Sequence, residues 1–204
     1  MPTLDDLAAD LRRALELGDL ERISGARQAI TTSFPESEAA AEAHYKLGLE
    51  TLFLKGDLGV AADHFRAAAK VKAGNWGQAA RTSLGIALYR EKKSQQAVFE
   101  LRKAAAQKPP NLAAAQALSI VVTIFRDEKN AKEADRARAE QIKVLEQVAK
   151  SADPADAAMA TFLLGVEHKF DGQRDLARKA FEAALAKGLD PGFTAKARAL
   201  ISEL

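Results

Sequence analysis

Cysteine is absent from the 204 residues. That excludes disulfides, thiolate metal sites and a cysteine nucleophile, and it fits a reducing compartment. An excess of charge of one sign is missing too: 30 Lys and Arg against 28 Asp and Glu leave a formal charge of +2. A balance so close to neutral gives no push toward nucleic acid or an anionic membrane surface. No apolar run approaches the ~18 residues of a membrane span, and the opening MPTLDDLAADLRR has no signal-peptide core. We therefore expect a cytoplasmic protein, or a domain of a longer one, with neither membrane nor nucleic acid as partner. β-Branched residues are sparse and no glycine-rich phosphate loop follows a strand. What is plentiful is alanine, about a fifth of the chain and the best helix former. The expected class is all-α.

The stretch 78–111, QAARTSLGIALYREKKSQQAVFELRKAAAQKPPN, organises the rest. Leu84, Gly85 and Leu88 share one face of a first helix, and Ala97, Leu101 and Ala104 share one face of a second. Gly85 and Ala97 let the two axes approach, and Leu101 fills the groove beside them. Pro109 and Pro110 stop the second helix. Small residues mid-helix with a large apolar residue between them recur along the chain. The pattern resembles the tetratricopeptide repeat, a unit of ~34 residues.

Taken in order, Thr3 caps a helix whose apolar face reads Leu4, Leu7, Leu11 and Leu15, and Gly18-Asp19 turns into a second helix with Leu20, Ile23, Ala26 and Ile30. The next pair carries Tyr45, Leu49 and Leu52, then Ala61, Phe65 and Ala68; its Leu47-Gly48 falls one residue early. Asn75 to Gln78 reads as a capping box before Trp76, itself a packing staple. Asn111 caps a helix with Leu118, Ser119 and Val122 in the expected places. The helix after it departs from the pattern: Ala131, Ala134, Ala137 and Ile142 make its apolar side, while Asp135 stands where a large apolar residue belongs. Leu164, Gly165, Gly172, Ala177, Phe181 and Ala184 then repeat the motif, and Asp190-Pro191 opens a last helix with Phe193, Ala197, Leu200, Ile201 and Leu204 on one face. The resemblance implies one right-handed α-solenoid over 1–204 made of antiparallel pairs near 3–35, 37–74, 76–109, 111–150 and 153–188, with a capping helix at 191–204. Gly85 and Gly165 sit mid-helix, where gained helix propensity and mild crowding predict a near-neutral Gly→Ala.

In such repeats a second stripe on the first helix lines a groove for peptides. That resemblance assigns the groove to Thr82, Ile86 and Tyr89, to Gln116, Ile120 and Thr123, to Phe162, Val166 and Lys169, and to Lys46, Glu50 and Phe53. Its mixture of aromatic, apolar and polar groups suits a peptide or amphipathic segment of another protein. The competing view makes these positions contacts between neighbouring repeats. Carboxylate clamping of the kind some members use lacks its residue types, since Thr82, Ile86, Gln116 and Ile120 occupy the matching region.

Nothing in the spacing assembles an enzyme. His44, His64 and His168 are not placed as metal ligands, and His168 reads as a half-buried core histidine. Asp5, Asp6, Asp153 and Asp156 read as helix-start acids. The alternating charges of 126–150 make a solvated face, and the cluster Arg90, Lys92, Lys93, Arg102, Lys103 and Lys108 lacks interleaved aromatics. The expected role is a non-enzymatic adaptor without cofactor or metal. The alternative is self-assembly into a homo-oligomer through the final helix, with the irregular 130–150 helix as a docking ridge.

Overall fold

The computed structural model describes residues 2–72 and 74–204. Among them are eleven α-helices and no strand. They are α1 (Leu4–Leu17), α2 (Leu20–Ser33), α3 (Glu38–Glu50), α4 (Leu58–Lys70), α5 (Trp76–Arg90), α6 (Ser94–Ala105), α7 (Leu112–Asp127), α8 (Ala131–Val148), α9 (Pro154–Phe170), α10 (Arg174–Ala186) and α11 (Pro191–Ser202); a π-helical turn, Thr51–Lys55, prolongs α3. The architecture is all-α, with five antiparallel pairs and a final helix. Contacts gather the chain into two compact units, residues 1–104 and 105–204.

The ends are set by local chemistry. Thr3, Asp19, Ser37, Asp57, Asn111, Asn130, Asp153 and Asp190 each accept a hydrogen bond from a first-turn N–H, satisfying donors that the helix itself leaves open. Asn75 makes no side-chain cap; Gln78, expected to reach back to it, instead donates to the Ala104 carbonyl at 3.0 Å. Trp76 packs against Tyr45 with ring centres 5.3 Å apart.

Each pair turns through one residue in the left-handed region: Gly18, Gly56, Lys92, Lys129 and Gly172. Counting from these residues exposes the frame. Five positions on stand Ala61, Ala97, Ala134 and Ala177, all buried; nine on stand Phe65, Leu101 and Phe181, each fully buried. Seven positions before the turn, Gly85 lies under Leu101 and Gly165 under Phe181: a Cβ on either would come within 2.5 and 2.7 Å of the facing side chain. These plugs hold the pairs, and burying each contributes about 1.5–3 kcal/mol.

Gly48 makes the same contact, with a Cβ there 2.6 Å from Phe65, although it precedes its turn residue by eight positions. The π turn absorbs the extra residue. The early Leu47-Gly48 is therefore in register after all.

Three apolar faces differ from expectation; in α2 only Ile23 and Ile30 are buried, and Leu20 stands exposed at the helix start. In α1 the buried residues are Leu7 and Ala14, while Leu15 is half exposed. In α8 Ala131 is exposed and Ile142 only partly covered; the core side is Ala134, Ala137, Gln141, Leu145 and Val148. Lys129 follows Lys92 by about one helical turn of residues more than the ~34-residue repeat, so the plug position on α8 falls at Arg138 rather than at Asp135.

Candidate functional site

The fourth pair, α7 with α8, breaks the plug. Seven before Lys129 stands Val122, and nine after it stands Arg138. The buried valine occupies the groove that glycine leaves open elsewhere, so no apolar plug can descend. Arg138 turns to α9 instead. Its Nε donates to a Glu167 carboxylate oxygen at 2.6 Å, one Nη to Asp171 at 2.6 Å and the other Nη to the Glu167 carbonyl at 3.0 Å. The Asp171 hydrogen bond and the neighbouring Glu167 raise the Arg138 pKa, and that same bond holds the Asp171 carboxyl below its ordinary value.

With the plug missing, a cleft of about 200 Å³ opens, lined by Ser119, Val122, Thr123, Arg126, Arg138, Gln141, Val166, Glu167 and Phe170. Phe170 is 67% exposed, and the guanidinium carbons of Arg126 and Arg138 lie 4.9 and 4.7 Å from its ring centre. Both stacks are of cation–π type. Arg138 is fully engaged by carboxylates, whereas Arg126 has no ion-pair partner among the described residues. Gln141 stands where the other pairs have Ala68, Ala104 and Ala184, and it is 8% exposed. Its amide has no hydrogen-bond partner among the described residues, yet none of its polar atoms is sealed from solvent. The amide opens into the cleft.

Of the twelve groove residues expected from the sequence, Thr123 and Val166 line this cleft. Gln116 is exposed and Ile120 partly covered on the same helix, α7. Lys169 is tied to Glu203 at 2.5 Å. Phe162 must be corrected: it is 1% exposed and packs on Phe181 and Phe193, with ring centres 5.5 and 5.4 Å away. It is a core residue, because the wide stripe of α9 meets both α10 and α11.

In the first unit the remaining six are scattered in environment. Thr82, Ile86 and Tyr89 are half-buried on α5. Lys46 lies over the Trp76 ring at 5.7 Å, Glu50 pairs with Lys55 at 3.3 Å and with Arg27 at 4.0 Å, and Phe53 is 68% exposed. Sequence spacing missed Ser119, Val122, Arg126, Arg138, Gln141, Glu167 and Phe170. Aligning the pairs on their turn residues, rather than on a fixed period, would have put Arg138 at the plug position.

Other features resolve into local structure. His44 and His64 meet across α3 and α4, Nδ1 to Nδ1 at 3.2 Å, a pairing that their spacing of twenty residues concealed. Burial lowers the pKa of both, and each lies near further charge: His64 beside His44, and Asp63, Lys55 and Glu50 beside His64. No group of three or more His, Cys, Asp or Glu among the described residues is placed to hold a metal ion. In the basic cluster, Lys93 pairs with Glu91 and Lys103 with Glu100. Leu200, Ile201 and Leu204 pack against the core of α9, α10 and α11, so the apolar face of the last helix is occupied within its own unit. No described helix is long and apolar enough to cross a membrane.

The fold is similar to that of MamA. Two crystal structures of MamA align at 19% identity: one over 92% of this chain and 95% of that one with a TM-score of 0.51, the other over 89% of each with a TM-score of 0.53. MamA is a tetratricopeptide-like helical-repeat protein, and at this identity the likeness is one of fold. A structure of BtubC (BKLC) from P. vanneervenii aligns at 16% identity over 96% of this chain and 78% of that one, with a TM-score of 0.48. No family model and no curated protein matches the chain.

Proposed function

We propose that this protein is a non-enzymatic interaction module that holds a segment of another protein against α7, α8 and α9. The observation that carries the reading is the α7–α8–α9 cleft, where an exposed aromatic, an uncommitted arginine and an unpartnered buried amide converge. The lining is mostly polar, with Val122, Val166 and Phe170 as its apolar surface, a mixture suited to gripping a polar segment through hydrogen bonds and one aromatic contact. Thr123 and Val166, assigned to a peptide groove on other grounds, line that same cleft. Self-assembly through residues 191–204 has less support, because Leu200, Ile201 and Leu204 already pack inside the unit.

Val166 is 37% exposed, so Val166→Arg puts bulk and charge into the cleft without disturbing the core. Proteins captured from the source cell by the wild-type chain should be lost with Val166→Arg while helicity stays unchanged. Retention of the same proteins by the variant overturns the cleft as the place of binding.

A further inference from the structure

We infer that the segment held in the α7–α8–α9 cleft is acidic, and that one aspartate or glutamate side chain enters the cleft itself; this rests on the interaction reading above. One charged group of the lining is uncommitted. Arg138 is neutralised by Glu167 and Asp171, both bonds being 2.6 Å, and so is not offered to a ligand. Arg126 remains: exposed, stacked on Phe170 and without a carboxylate partner. The two arginines and the two carboxylates balance, so what meets an entering group is one guanidinium, Arg126, held in a fixed place by its aromatic neighbour and with its donors uncommitted.

The depth of the cleft supplies the second half of the argument. Gln141 is 92% buried, reading its 8% exposure the other way, and its amide meets nothing in the protein. The amide reaches solvent only through the cleft, so a group that enters takes the place of the water it meets and must offer it a hydrogen bond in return. Gln141 Nε2 donates to a carboxylate oxygen from the floor while the Arg126 guanidinium donates from the rim, and the Gln141 Oε1 is left to accept a backbone N–H of the segment. The methylene groups of the same acidic side chain lie against Val122, Val166 and Phe170. The volume of about 200 Å³ has room for such a side chain. A doubly charged phosphate fits less well, since Glu167 is in the lining and only one cation is free.

The test uses the full chain and three hexapeptide libraries with one central position fixed as Glu, Gln or Lys and the others randomised. Binding is read by fluorescence polarisation. The Glu library should bind roughly tenfold more tightly than the Gln library, as one charge-assisted hydrogen bond gives, with the Lys library weakest. Arg126→Ala and Gln141→Leu should each reduce the Glu library to the level of the Gln library, and Val166→Arg should abolish binding of all three. Equal binding of the Glu and Gln libraries overturns the acidic assignment and leaves the interaction reading standing. Binding by none of the libraries overturns both.

Discussion

Arg138 bonds Glu167 from the position at which Leu101 and Phe181 plug their own helix pairs. Arg27 stands in the same relation to Glu50: it lies nine residues after its turn glycine, and Glu50, like Glu167, lies two residues after the close-packed glycine of the next pair. In both pairs a branched aliphatic residue, Leu11 or Val122, replaces the glycine seven before the turn. Each compact unit thus opens with an arginine-linked pair and continues with plugged ones. The substitution is concerted: a filled groove expels the apolar plug, and an arginine long enough to reach the next pair takes its place.

That relationship predicts non-additivity. Arg138→Leu alone strips Glu167, whose side chain is 19% exposed, of its cation and offers a plug that Val122 shuts out. We expect a loss of about 1–3 kcal/mol. Val122→Gly alone leaves a cavity and adds a mid-helix glycine, costing about 1–3 kcal/mol. Combined, they recreate the Gly85–Leu101 contact, and the double variant should be more stable than the sum of the singles implies by about 1 kcal/mol or more. Urea denaturation of the four proteins measures the coupling; strict additivity contradicts the shared frame.

The glycines behave differently from what helix propensity suggests. The near-neutral Gly→Ala expected from sequence does not survive the geometry: a Cβ at Gly85 meets Leu101 Cγ at 2.5 Å and the Ala97 carbonyl oxygen at 3.2 Å, and one at Gly165 meets the Phe181 ring at 2.7 Å. Neither plug has space to retreat, both being fully buried. Gly85→Ala and Gly165→Ala should each destabilise by about 1–3 kcal/mol, and Gly→Leu by more. By contrast Gly25→Ala, on α2 with open space around its Cβ, should stabilise by up to about 1 kcal/mol. Hydrogen exchange should show the Gly165 variants loosening α9 and α10 while α1 and α2 keep their protection.

The His44–His64 contact sets a pH dependence in the first unit. Burial depresses both pKa values, so the folded state favours neutral imidazoles while the unfolded chain takes up protons near pH 6.5. The stability from this pair is present above about pH 6.5 and is lost as pH falls through the lower folded-state values. Thermal melts between pH 7.5 and 5.5 should fall in Tm for the wild type, and the slope should flatten for His44→Gln/His64→Gln. An unchanged slope in the double variant would place the titrating groups elsewhere.

Helix periodicity and turn residues made the pairs legible, and the Gly85–Leu101 and Gly165–Phe181 contacts follow directly from small-then-large spacing. A fixed repeat length hid the rest. One extra residue in the π turn at Thr51–Lys55 set Gly48 a position early, and the wider spacing from Lys92 to Lys129 put Arg138 rather than Asp135 at the plug position. Phe162 was read onto the surface because a helix touched on two sides has a wider buried arc than a single stripe suggests. The cleft was illegible for a related reason: it exists where the pattern fails, and its residues come from three helices.

Site-specific photo-crosslinking reads directly whether a partner lies in the α7–α8–α9 cleft. A benzoylphenylalanine at Thr123, which lines the cleft, is compared in cells with one at Glu182, exposed on α10. The account predicts a discrete crosslinked product from Thr123 that disappears when Val166→Arg is added, and none from Glu182. Equal products from both positions, or a Thr123 product indifferent to Val166→Arg, would contradict it.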